Sequence, residues 1–173
     1  MFDFRTIILL LFLSQNLCGQ NDIFELARRG SVQEVKAVVK ETPNVLNAKD
    51  QRGSTPLVLA CYYNNFEVVE YLIQVVDDIN GATKDGSPLM AAAVKGYNSI
   101  VQLLLDAGAD PNIEDMNKTT ALHYAATFKN YDLVVMLLNS GANPNHKNNI
   151  NQSPYDLALI HNDKRLNKIF KIN

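Results

Sequence analysis

A repeat of about 33 residues dominates this sequence. The tripeptide Thr-Pro-Leu, or a close variant of it, recurs at steps of 32, 33 and 33 residues: Thr55-Pro56-Leu57, Ser87-Pro88-Leu89, Thr120-Ala121-Leu122 and Ser153-Pro154-Tyr155. A second motif, Ala107-Gly108-Ala109-Asp110-Pro111-Asn112, recurs 33 residues later as Ser140-Gly141-Ala142-Asn143-Pro144-Asn145. Two motifs with one spacing predict a stack of similar units, because a unit of this size cannot bury its apolar side chains alone.

Each unit begins with the pattern of a short helix. The opening Thr or Ser can accept hydrogen bonds from the first N–H groups of a helix, and Pro suits the next position, where no N–H is needed. A small residue that would let neighbouring helices approach closely follows four residues after the Pro position: Ala60, Ala92, Ala125 and Ala158. Gly96 is expected to break this helix, and Asn64, Lys129 and Asn162 stand at the matching place.

A second helix and a loop complete the unit. Apolar residues spaced i, i+1 and i+4 indicate one face of that helix; they are Val68, Val69 and Leu72, then Ile100, Val101 and Leu104, then Leu133, Val134 and Leu137. Gly108 and Gly141 are expected to end the second helix. About a dozen polar residues then lead to the next Thr or Ser, which is long enough for a projecting, hairpin-like turn.

The hexapeptide Thr120-Ala121-Leu122-His123-Tyr124-Ala125 closely resembles the Thr-Pro-Leu-His-x-Ala signature of the ankyrin repeat. This resemblance implies an all-α solenoid of about five helix-turn-helix repeats with projecting hairpin-like loops, at 21–52, 53–84, 85–117, 118–150 and 151–173. It also implies that the signature His ties adjacent loops together by hydrogen bonds. Since this sequence has that His only at His123, such ties should be fewer here.

The ends and the second repeat depart from the pattern. The first repeat lacks the Thr-Pro entry and the last stops after its second helix, so both are expected to act as caps with a polar outer surface. The basic residues assigned to that surface are Arg28, Arg29, Lys164, Arg165 and Lys168. The second repeat has no Gly at the end of its second helix and its following loop is one residue short, which leaves residues 76–87 without a clear template.

Residues 1–19 have the pattern of a secretory signal peptide, which would leave 20–173 as the ankyrin-repeat domain. Arg5 precedes an apolar run from Ile7 to Leu13, which is too short to span a bilayer, and Gly19 offers a small residue at the cut. We therefore expect an exported protein, periplasmic or secreted, with no stable membrane insertion after cleavage. A buried N-terminal helix and lipid attachment at Cys18 are the alternatives.

Composition argues against several kinds of chemistry. The formal charge is −2 with 16 basic and 18 acidic side chains, so there is no basic excess to attract nucleic acid. The three histidines, His123, His146 and His161, do not have the spacing of a zinc site, and no phosphate-binding loop or nucleophile motif is present. No metal and no cofactor are expected. Cys61 follows Ala60 in the first helix and is interpreted as a buried structural thiol, with a redox-sensitive partner contact as the alternative.

The resemblance implies a concave groove made of the first helices and the loop tips. On the helices it places Tyr62, Tyr63, Val94, Lys95, Thr127, Phe128, Ile160 and His161 near the groove. At the tips it places Gln51, Arg52, Lys84, Asp85, Met116, Asn117, Asn149 and Ile150. Exposed Tyr and Phe are typical of binding hot spots, although Tyr124 is expected to pack between repeats.

These features predict a monomeric, non-catalytic module that binds a protein partner. The 20 asparagines and the simple leader favour a bacterial source, where small exported ankyrin proteins resemble auxiliary or protective partners of envelope proteins. A secreted effector acting on a host protein is one alternative. An enzyme with a site that no motif reveals is another.

Overall fold

The computed structural model describes residues 22–171, and ten α-helices and one 3-10 helix lie within this range. The helices are α1 (Ile23–Arg29), α2 (Val32–Glu41), α3 (Pro56–Tyr62), α4 (Phe66–Leu72), α5 (Pro88–Lys95), α6 (Asn98–Asp106), α7 (Ala121–Thr127), α8 (Tyr131–Asn139), α9 (Pro154–His161) and α10 (Lys164–Ile169), with the 3-10 helix at Pro43–Asn47. The predicted signal peptide lies outside the described residues, so its cleavage stays a prediction.

The helices form two layers. In the inner layer α1, α3, α5, α7 and α9 pack in that order, each against the next, and in the outer layer α2, α4, α6, α8 and α10 do the same. Each of the five predicted repeat ranges contributes one helix to each layer. No β-strand occurs between residues 22 and 171, where the only pairing of that kind is an isolated bridge from Thr83 to Gly86. The prediction of an all-α repeat solenoid is therefore confirmed.

The predicted helix starts and ends are present. Thr55 and Ser87 each accept a hydrogen bond at 3.3 Å from the backbone N–H three residues further on. After the last four inner helices the chain turns at a left-handed residue, with φ of 60° at Asn64, 72° at Gly96, 54° at Lys129 and 44° at Asn162. Because the left-handed conformation turns the chain sharply, these four repeats can fold the outer helix back beside the inner helix. The first repeat instead turns at Gly30 in an extended conformation.

Small side chains line the contact between inner helices. Ala60, Ala92, Ala125 and Ala158 are completely buried, as predicted. The outer helices bury the predicted apolar triads in the same core, with Val68, Ile100 and Leu133 also at 0% exposure. The core is therefore one continuous layer of apolar side chains between the inner and the outer helices, since every repeat buries the apolar face of its neighbour.

The connection after α4 is irregular, as the sequence indicates. No left-handed residue ends this helix; instead the backbone N–H groups of Val75 and Val76 both donate to the carbonyl of Leu72. The next loop turns at Thr83–Gly86, and the helix cap Ser87 follows at once. In the loop before α3, Ser54 lies between the turn and the helix cap. The loop before α5 has no residue at this position, and it is therefore one residue shorter.

Asparagine side chains bridge successive repeats. Asn80 Oδ1 accepts a hydrogen bond from the N–H of Asp110 at 2.9 Å, and Asn112 Oδ1 accepts one from the N–H of Asn143 at 2.8 Å. On the other side, the amides of Asn98 and Asn130 donate to each other at 3.4 and 2.8 Å. Part of the asparagine content thus holds the stack in register, by bonds between residues 30 to 32 positions apart.

His123 makes the inter-loop tie that its place in the signature implies. Its ring is 2% exposed, and Nδ1 accepts a hydrogen bond at 3.1 Å from the N–H of Thr120. In the neutral ring the proton is therefore on Nε2, which donates to the carbonyl of Gln152 in the next loop at 3.1 Å. In the last repeat Asp156 takes the same position, and its carboxylate pairs with Lys147 and accepts from the N–H of Ser153.

We expect His123 to make the folded state sensitive to mild acid. Burial lowers the pKa of His123 below its ordinary value of 6.5, because a charged imidazolium would lose its water. Below about pH 6.5, His123 therefore binds a proton in the unfolded chain but stays neutral in the folded protein. The free energy of unfolding falls as the pH drops. Urea unfolding at pH 7.5 and 5.5 should show a larger loss for the wild type than for His123→Asn. Equal losses would contradict this assignment.

Candidate functional site

The inner helices and the loop tips enclose a groove with a cavity of about 640 Å³ that is lined by residues of the first four repeats. Five residues predicted from the sequence line this cavity: Arg52, Tyr62, Tyr63, Asp85 and Val94. They come from two loops and two inner helices, so the cavity exists only because consecutive repeats stack. Glu25, Arg28, Asp50, Met90 and Tyr124 also line the cavity. The groove is defined here as this cavity together with the exposed loop tips and the exposed Lys95, Phe128 and Ile160 on or directly after the inner helices.

The remaining predicted residues lie outside the cavity, on or after the inner helices and at the loop tips along the whole stack. Thr127 and Lys95 are exposed at the ends of their inner helices, and His161 is half-buried. Two large apolar side chains of this group, Phe128 and Ile160, are exposed to 60% and 61%. At the loop tips Met116 and Ile150 are exposed to 68% and 72%, and Gln51, Lys84, Asn117 and Asn149 are also exposed. The loop tips are joined by backbone bonds, since Met116 N–H donates to Lys84 and Asn149 N–H donates to Asn117.

Arg28 corrects one assignment made from the sequence. We predicted it as part of the polar surface of the first cap, but its side chain is 24% exposed and lines the cavity. Its guanidinium donates to Glu25 at 3.0 Å and to Asp50, 22 residues away, at 3.1 Å. Val58 and Met90, which line the cavity, each lie three residues after a helix cap. The same spacing counted from the cap Asp22 leads to Glu25. Glu25 was not predicted because the first repeat has no Thr-Pro motif.

Two tyrosines and two cations form a row across the groove. The rings of Tyr62 and Tyr63 meet edge to face, with centroids 5.3 Å apart. The Arg28 guanidinium lies 5.9 Å from the centroid of Tyr63, and the Lys95 ammonium lies 4.9 Å from that of Tyr62. The two rings remain 41% and 51% exposed. Since each ring contacts the other ring and one cation, both rings are held in place before any partner binds.

Tyr124 joins the groove to the third loop. Its hydroxyl donates to Asp115 Oδ2 at 3.0 Å, and its ring stacks on Phe128 with centroids 6.5 Å apart. Burial raises the pKa of Tyr124 to about 12, and the carboxylates of Asp115 and Asp85 contribute to that rise. We expected this residue to pack between repeats. It is half-buried, but it also lines the cavity.

The described residues offer little reactive chemistry. Between residues 22 and 171 no three His, Cys, Asp or Glu side chains are grouped so that they could hold a metal ion. Cys61 is completely buried, as predicted, and burial raises the pKa of its thiol. In the same range, no helix has the length and apolar character that crossing a membrane requires.

The fold and the groove define a helical repeat protein with an open binding surface. The sequence matches the family model described as ankyrin repeats in three copies, over residues 5–115 and 76–148. The chain belongs to the ankyrin-repeat family. Ankyrin repeats are generally protein–protein interaction modules, and the family is typically non-catalytic.

Similar proteins come from diverse organisms. The chain is 34% identical over 125 residues to alpha-latrocrustotoxin-Lt1a of Latrodectus tredecimguttatus, a match that covers 72% of this chain and 9% of the toxin. It is 36% identical over 120 residues to a putative ankyrin repeat-containing protein of Treponema pallidum (strain Nichols), with coverages of 68% and 40%. It is 32% identical over 151 residues to neurogenic locus notch homolog protein 1 of Danio rerio, with coverages of 83% and 6%. The matches thus span less than half of each relative's length.

Proposed function

We propose that this chain is a non-catalytic module that holds a protein partner in the groove. The observation that carries the proposal is the row of exposed aromatic and apolar side chains on the inner helices. Tyr62, Tyr63, Phe128 and Ile160 are 41% to 61% exposed, although each lies on or directly after an inner helix that contains a completely buried alanine, namely Ala60, Ala125 or Ala158. Folding does not need apolar residues at these positions, whereas binding does.

The geometry suits a protein ligand better than a small molecule. The cavity is lined by Tyr62 and Tyr63 of the second repeat, and further exposed apolar side chains occur in the third, fourth and fifth repeats, namely Met116, Phe128, Ile150 and Ile160. Exposed aromatic and apolar side chains therefore occur in four repeats. Rings that are already held by their neighbours lose little side-chain entropy on binding. A partner that contacts several of them can therefore bind tightly through few residues.

Tyr63→Ala and Phe128→Ala are each expected to weaken partner capture by about 1–3 kcal/mol, because each removes a large exposed ring from the groove. The partner would be captured with the immobilised chain from an envelope extract and identified by mass spectrometry, and its affinity would then be measured by calorimetry. Circular dichroism spectra and melting temperatures should stay close to those of the wild type.

Lys36→Ala is the control for this experiment. Lys36 is exposed on the outer helix α2, where its ammonium lies 5.1 Å from the Tyr71 ring, away from the groove. It should bind the partner like the wild type. If Lys36→Ala loses the partner while both groove variants keep it, the binding surface has been placed on the wrong layer of the stack.

We also propose that the chain is exported and acts as an auxiliary or protective partner of an envelope protein. The support is the apolar run between Ile7 and Leu13 behind Arg5. The captured protein decides between this role and its rival: an envelope protein of the producing cell supports it, and a host protein supports a secreted effector. Turnover of the captured molecule would favour an enzyme instead.

A further inference from the structure

The groove contains one carboxylate with which no cation between residues 22 and 171 forms an ion pair. At the first repeat the charges are matched, because Arg28 bridges Glu25 and Asp50 and Arg29 also pairs with Glu25. Asp85 differs: within the part of the chain that the structure describes, its carboxylate has no ion-pair partner, although it is exposed and lines the cavity. Its own backbone N–H donates to Thr83 Oγ1 at 3.2 Å, which fixes the position of the loop that carries it.

An aromatic ring stands in the same part of the groove. Tyr124 lines the cavity together with Asp85. The Asp85 carboxylate makes the smallest contribution to the raised pKa of the Tyr124 phenol, after burial and Asp115. The hydrogen bond to Asp115 and the stacking on Phe128 hold this ring in one orientation. Arg28 lies against the ring of Tyr63 and Lys95 against that of Tyr62. Within residues 22–171, no cation lies against the ring of Tyr124.

A carboxylate beside an aromatic ring is complementary to a guanidinium group. The planar guanidinium can donate two parallel hydrogen bonds to one carboxylate, and its flat face can stack on an aromatic ring at the same time. An ammonium group can satisfy the carboxylate but cannot stack in this way, and it is more strongly hydrated.

We infer that the groove binds an extended segment of the partner protein and takes an arginine side chain of that segment between Asp85 and Tyr124. This inference rests on the protein-binding role proposed above. The segment is extended because the cavity runs from Glu25 in the first repeat to Tyr124 in the fourth, which is longer than one side chain. Arg52 also lines the cavity but makes no ion pair with Asp85, so the carboxylate is open to the partner.

The test uses the full chain labelled with ¹⁵N and small probes that carry a single side chain. The probes are N-acetyl-L-arginine N-methylamide, the same derivative of citrulline, which has the same shape but no charge, and the same derivative of lysine. We expect saturable shifts of the amides near Asp85, Met90 and Tyr124 with the arginine probe, at a dissociation constant on the order of millimolar. The citrulline and lysine probes should bind at least about fivefold more weakly.

Asp85→Asn should weaken the arginine probe by about fivefold or more, because it removes the charge and keeps the shape. Asp132→Asn is the matched control, since Asp132 is an exposed carboxylate on the outer helix α8, with only a long 3.7 Å contact to Arg165. It should bind like the wild type. Both variants should keep the wild-type amide spectrum elsewhere.

Several results would overturn the inference. They are the absence of saturable shifts, shifts that map away from the groove, equal binding of the citrulline probe, or unchanged binding by Asp85→Asn. Capture of the partner by the Tyr63 and Phe128 variants separates this inference from the proposed function. If those variants lose the partner while the arginine probe fails, the groove is the binding surface and only the arginine subsite is wrong.

Discussion

Deletion of residues 151–173 is expected to lower the free energy of unfolding by about 3 kcal/mol or more, out of the 5–15 kcal/mol typical of a domain. The deleted part contains α9, which covers the inner helix α7, and α10, which covers the outer helix α8. Without it, buried side chains of the fourth repeat such as Leu122 and Leu137 would face water. His123 would also lose the carbonyl of Gln152.

Calorimetric melting of the truncated and intact chains measures this loss. The double variant Lys164→Ala and Lys168→Ala is a suitable control, because both side chains are exposed on α10, and it should melt close to the wild type. An unchanged melting temperature after the deletion would show that the last repeat does not cap the stack. The argument that each repeat is stabilised by its neighbours would then be wrong.

Leu104→Ala is expected to destabilise the protein by about 2–5 kcal/mol, because it removes a fully buried side chain and leaves a cavity between α6 and its neighbours. Leu104 has 0% exposure and lies in the third of five repeats. The outer helices α4 and α8 pack on either side of α6, so the surrounding structure has little freedom to close the gap. Urea unfolding monitored by circular dichroism gives the free energy.

Leu159→Ala is the matched control for this change. The same atoms are removed from a helix, but Leu159 is 47% exposed on α9. The expected loss is well under 2 kcal/mol, since nearly half of the Leu159 surface already contacts water and the change leaves no closed cavity. Similar losses for the two variants would mean that the core does not run between the two layers as described.

Much of the fold could be predicted because it depends on local chemistry that recurs with the repeat. A hydroxyl cap such as Ser87 acts on an N–H three residues away, and the left-handed residue Gly96 ends its own helix. Small alanines such as Ala92 recur in phase with these caps. Each signal lies within a few residues of the structure that it specifies, so the sequence contains it directly.

The groove could be predicted only where the repeat motif was intact. The resemblance, carried over position by position, assigned Tyr62, Tyr63 and Val94 to the groove side, and all three line the cavity. The same assignment was not possible in the first repeat, which begins at Asp22 without the Thr-Pro motif. The ion-paired Arg28 was therefore assigned to the outer surface, although it is in the groove.

The sequence by itself determined the helices, their order, the layer of small residues and the loops that project. The tertiary structure decided which polar groups meet across repeats. Asn80 bonds to residue 110, Asn112 to residue 143, and Tyr124 to Asp115, while Asp85 makes no ion pair within residues 22–171. Such pairs depend on the distance and rotation between stacked repeats, which packing of the whole core sets. No spacing within one repeat encodes them.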